Sequence, residues 1–88
     1  MSDVPDSFIR MIWDFYGPQG YGTAQHFLKH LDEFLKERGI PSTAIEVEKV
    51  SPTHAATFVD LDHVHLDEVG RALQPHRVYE VSDDSEDG

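Results

Sequence analysis

Residues 8–23 carry the pattern that most limits what this chain can fold into. In Ile9-Arg10-Met11-Ile12-Trp13-Asp14-Phe15-Tyr16, β-branched and aromatic residues alternate with Arg10 and Asp14, and the run then breaks at Gly17-Pro18-Gln19-Gly20-Tyr21-Gly22. Beyond Thr23 the period changes, with Ala24, Phe27, Leu28, Leu31, Phe34 and Leu35 on one helical stripe. A strand that gives way to an amphipathic helix within six residues is a βα unit. Thr23 is expected to cap that helix, Arg38-Gly39 to end it and Pro41 to prevent its continuation. The glycines also place backbone N–H groups at a helix N-terminus, where anions bind.

The rest of the chain continues in the same alphabet. Ala44 to Val50 alternates, Ser51-Pro52-Thr53 turns, and His54 to Leu61 returns, which reads as a β-hairpin. A short helix is expected from Leu66 to Gln74, with Leu66, Val69 and Leu73 on one side and Glu68 closing a cap near His65. Pro75 ends it and Arg77 to Val81 forms a last strand. The order β-α-β-β-α-β predicts an α+β fold of the ferredoxin-like split βαβ type. Its antiparallel four-stranded sheet has strand order 4-1-3-2, with both helices on one face. One domain is expected over residues 8–81, with a flexible N-terminus at 1–7 and a disordered acidic tail at 82–88.

Side-chain pairing supplies a check on this topology. If the first and third strands are antiparallel neighbours with Arg10 opposite Asp60, then Ile12 meets Phe58 and Asp14 meets Ala56 on the open face. On the other face Ile9 meets Leu61, Met11 meets Val59, Trp13 meets Thr57 and Phe15 meets Ala55. Large residues then oppose small ones and opposite charges are matched.

A chain of 88 residues holds one such core and no deep enclosed site. It has no cysteine, which excludes thiol catalysis, disulfides and thiolate metal centres. No apolar run approaches the roughly 20 residues of a membrane span, so no membrane partner and a cytoplasmic location are expected. Seventeen acidic residues against seven basic ones give a formal charge of -10, which repels nucleic acid in the absence of a basic patch. Four of those acids lie in Ser82-Asp83-Asp84-Ser85-Glu86-Asp87-Gly88. The excess of Asp over Glu and the three lysines also fit a protein of a high-salt cytoplasm.

Gln19-Gly20-Tyr21-Gly22-Thr23 resembles the phosphate-cradling loop of the acylphosphatases, which occupies this position in the same fold. The resemblance covers five residues. It implies a following arginine to hold phosphate and an asparagine on the hairpin side to orient water. Here Ala24 takes the arginine's place and the chain has no asparagine, so acylphosphatase catalysis is not expected. What remains is a candidate anion site at one end of the sheet, formed by Gln19, Gly20, Tyr21, Gly22, Thr23, His54, His76 and Arg77.

Two further groups carry chemistry. His26 and His30 are one helical turn apart, with Glu33 and Glu37 extending the row. Imidazole and carboxylate ligate zinc or nickel, but the row lies opposite the apolar stripe, and a solvated helix face explains it better than a metal site. The open sheet face is expected to show Phe8, Ile12, Tyr16 and Phe58, framed by Arg10, Asp14, Glu46, Glu48 and Asp60. Central aromatics resemble RNA-recognition sheets, whose surroundings are cationic where these are acidic. An apolar centre with a charged rim fits a protein interface. No serine lies in a nucleophile elbow and no carboxylate dyad forms, so the chain is expected to be a non-enzymatic interaction module without a cofactor, pairing with itself or with a basic protein. The alternative is a small-anion or metal-ligand binding domain that uses the Gly17–Thr23 loop end.

Overall fold

The computed structural model describes residues 8–81; the N-terminus at 1–7 and the acidic tail at 82–88 lie outside the described residues. The elements run β1 (Phe8–Tyr16), α1 (Gly20–Arg38), β2 (Ala44–Ser51), β3 (His54–Asp62), a 3-10 turn (His63–His65), α2 (Leu66–Leu73) and β4 (Arg77–Val81). The four strands form one antiparallel sheet in the order β2-β3-β1-β4, which is the expected order read from the other edge. Every expected β1–β3 pair is present, from Ile9 opposite Leu61 to Phe15 opposite Ala55. One register places Ile9, Met11, Trp13 and Phe15 of β1 on the same face as Val59 and Leu61 of β3, so a slip by one residue would turn one strand's set to water.

That face carries the core. Ile9, Met11, Trp13, Val59 and Leu61 from the sheet meet Leu31 and Leu35 of α1, Ile40 after it, and Val69 of α2. Two polar contacts anchor the helices to the strands beneath them. Thr57, fully buried, donates its hydroxyl to the carbonyl of Ala24 at 2.8 Å, and Trp13 donates its indole N–H to the carbonyl of Leu73 at 2.9 Å. Each satisfies a polar group that the core would otherwise leave stranded. The stripe of α2 is narrower than expected, because Val69 is buried and Leu73 partly buried while Leu66 faces solvent.

One helix start and one cap differ from the sequence reading, while α2 begins at Leu66 as expected. Helix α1 begins at Gly20 rather than after Thr23, and Gln19 is its N-cap without a side-chain bond. Thr23 lies inside the first turn, its hydroxyl donating back to the Gln19 carbonyl at 3.1 Å. The cause is steric. A Cβ on Gly20 would lie 2.7 Å from the Phe15 carbonyl oxygen, so only glycine lets the helix start directly over the end of β1. Gly17, at φ +103°, makes the preceding turn, and its N–H donates to Thr53 at 2.8 Å. In α2, Glu68 does not cap its own helix; it accepts from Arg38 of α1 at 2.8 Å. Asp62 takes the capping role one turn earlier, accepting from the Val64 N–H at 2.9 Å.

Candidate functional site: the open face of the sheet

Residues opposite one another on neighbouring strands point to the same side. Pairing therefore resolves the helix-free face into rows. The central row is Glu46–Phe58–Ile12–Arg77, reading from β2 to β4, and the next is Ala44–Asp60–Arg10–Tyr79. A third places Glu48, Ala56 and Asp14 side by side.

The face is more closely covered than alternation alone suggests. Ile12 keeps only 9 % of its surface although no helix lies over it. It is screened by its neighbours rather than displayed, which corrects the expectation of an exposed Ile12. The Arg10 guanidinium lies 4.2 Å from the centre of the Phe58 ring and grips Asp60 with two bonds, Nε to Oδ1 at 2.7 Å and Nη2 to Oδ2 at 2.8 Å. The bond to Asp60 holds the Arg10 proton more tightly than usual, against the opposing effect of burial. Phe8 and Phe58 are half-buried, while Tyr16 and Tyr79 are exposed.

Toward the glycine end Asp14 is a hub. Its carboxylate accepts two bonds from Arg77, from Nε at 3.0 Å and Nη2 at 2.8 Å, and one from His54 Nε2 at 2.8 Å. Its backbone N–H donates to Nδ1 of His76 at 2.8 Å. Burial pushes this carboxyl up, but the bonds from Arg77 and His54 outweigh it and hold the group below the ordinary carboxylate range. Arg77 is correspondingly held as a cation, through its bonds to Asp14 and Tyr79. The ionised carboxylate requires the Nε2 hydrogen on His54, and the Asp14 N–H requires an unprotonated Nδ1 on His76. Tyr16 stacks on His54, with ring centres 4.4 Å apart.

The two groups of residues that the sequence separates, open-face Asp14 and end-of-sheet His54, His76 and Arg77, are thus one cluster. Its cation is engaged with Asp14. Of the amides in the glycine segment, Gly20 donates to the Gly17 carbonyl at 3.0 Å and Thr23 to that of Gln19 at 3.0 Å. Tyr21 and Gly22 lie exposed in the first turn of α1, and Lys49 is 5.5 Å from the centre of the Tyr21 ring. His26 and His30 bring their Nε2 atoms within 3.1 Å on the exposed side of α1, with Glu33 3.8 Å from His30. Among the described residues no group of three or more His, Asp or Glu side chains is arranged to hold a metal ion, and no helix is long and apolar enough to cross a membrane.

Sequence reasoning missed Tyr79, which completes the row of Arg10. The period-two run Arg77-Tyr79-Val81, set against Ile12, Arg10 and Phe8, carries the signal that places it. No protein-family model matches the chain, and no curated protein or solved structure matches it.

Proposed function

We propose that this is a ferredoxin-like, non-enzymatic protein-interaction module that works through the open face of its sheet. The observation that carries the reading is the contrast between the two faces. One is filled by both helices, while the other bears Phe8, Phe58, Tyr16 and Tyr79 with exposed or half-buried rings. Around these rings the charges are organised in pairs, Arg10 with Asp60 and Arg77 with Asp14. Rigid aromatic groups amid ordered polar partners are what protein interfaces use for area and register. The β-α-β-β-α-β order and the β2-β3-β1-β4 antiparallel sheet support the fold assignment.

A photo-crosslinking residue at position 79 tests the reading in cells, with the same group at exposed Lys29 on α1 as the control. The module reading expects a discrete adduct from position 79 and none from position 29. Equal yields at both positions, or none at either, would refute it.

A further inference from the structure

The rows of the open face are complementary to themselves. The sheet order places β3 and β1 in the centre and β2 and β4 at the edges. Consider a second copy packed face to face about a two-fold axis parallel to the strands and midway between β1 and β3. That rotation keeps each row at its own height and reverses its order. Glu46 then faces Arg77 of the partner subunit, and Phe58 faces the partner's Ile12. In the next row Asp60 faces the partner's Arg10, and small Ala44 faces the large partner's Tyr79. A two-fold axis perpendicular to the strands would instead set Glu46 and Glu48 of one β2 against the same strand of the other copy.

Resting on the open-face reading above, we propose that the partner is a second copy of this chain, packed in this strand-parallel orientation. In an isologous contact residue i meets j while j meets i, so a row reversed by the two-fold axis must be complementary to itself. The central row Glu46–Phe58–Ile12–Arg77 is so in charge, with an acid at one end and a cation at the other. One end carries a charge with no ion partner among the described residues and the other a cation shared with Asp14. Glu46 is exposed and makes no ion pair among the described residues. Arg77 uses Nε and Nη2 on Asp14, leaving Nη1 outside that pair, and its side chain is 43 % exposed. Sheets packed about 10 Å apart lie within reach of an extended Arg–Glu pair.

Size bounds the contact. Four strands about 4.8 Å apart and up to about 30 Å long present on the order of 500 Å² per chain, about 1,000 Å² for the pair, the lower bound of a specific interface. At physiological ionic strength the Debye length is about 8 Å, so repulsion between two chains of charge -10 is largely screened while a direct ion pair is not.

Sedimentation equilibrium on the full chain, from micromolar to near-millimolar concentration, tests the inference. The expected result is a dimer that Glu46→Arg weakens at least tenfold. Arg77→Glu should do the same, and an equimolar mixture of the two variants should associate as the unmodified chain does, because both ends of the row are then matched. Arg77→Glu also touches Asp14, so its fold is checked by circular dichroism. Glu46 makes no ion pair among the described residues, but its charge acts on Arg10, so the fold of Glu46→Arg is checked in the same way. A strict monomer overturns the second-copy inference and leaves the open-face reading to its crosslink. A dimer broken by Tyr79→Asp but indifferent to Glu46→Arg overturns this orientation and retains the face. A dimer indifferent to both overturns the second-copy inference and leaves the open-face reading to its crosslink.

Discussion

Gly20 and Gly22, two residues apart in the segment that looks most like a ligand loop, should respond to alanine with opposite signs. At Gly20 an added Cβ would meet the Phe15 carbonyl oxygen at 2.7 Å and its carbon at 3.1 Å, both backbone atoms of the central strand. Neither atom can swing aside, so helix and strand must separate by several tenths of an ångström, a cost of about 1–3 kcal/mol by analogy with overpacked cores. The better helix propensity of alanine returns at most about 1 kcal/mol. The net expectation is a loss of about 1–2 kcal/mol for Gly20→Ala. At Gly22 nothing lies within 4 Å of the added carbon and the backbone is already helical. There Gly22→Ala should gain about 0.5–1 kcal/mol by restricting the unfolded chain. With a urea m-value of roughly 1 kcal/mol/M, the two variants should differ in midpoint by about 2 M, with the unmodified protein between them. Coincident midpoints, or a Gly20→Ala variant more stable than its parent, would refute the close-approach account of the glycine segment.

Asp14 should govern part of the acid stability. Its folded-state carboxyl is held below its unfolded value, so the stability it contributes is present above the unfolded value near pH 4 and is lost as pH falls through the lower folded value. The gap in urea midpoint between the parent and Asp14→Asn should be full at pH 5–6 and close progressively below about pH 4; a gap independent of pH would show that the carboxylate charge is not what matters. Thr57→Val keeps the volume and removes the bond to Ala24, at an expected cost of about 0.5–1.5 kcal/mol; chemical denaturation at neutral pH measures it, and an unchanged midpoint would mean that the bond stabilises nothing. Millimolar phosphate should leave the amide resonances of Gly20 and Thr23 in place, because both N–H groups are bonded internally and Arg77 is held on Asp14. Saturable shifts at those two amides would establish an anion site there.

The alternating pattern of β1 and β3, together with the match of Arg10 to Asp60, indicated the register that the structure shows. Period two assigns each residue to a face, and setting Arg10 against Asp60 then brings Trp13 to Thr57 and Phe15 to Ala55, large against small. The stripe of α1 and the break at Gly39 were legible for the same reason, since helical spacing and a left-handed cap are local properties. Tertiary structure decided the rest. Asp14 finds His54 and Arg77 across 40 and 63 residues of sequence, and Glu68 turns from its own helix to Arg38, 30 residues earlier. No spacing rule encodes such partners, because they are chosen by strands and helices that meet only after folding. The start of α1 belongs to the same class: Thr23 has the composition of a cap, but the approach of Gly20 to Phe15 sets where the helix begins. The order of the central row, acid, aromatic, aliphatic and cation, likewise exists only when four separate strands lie side by side, and it is on that assembled row that the inferred pairing of two copies rests.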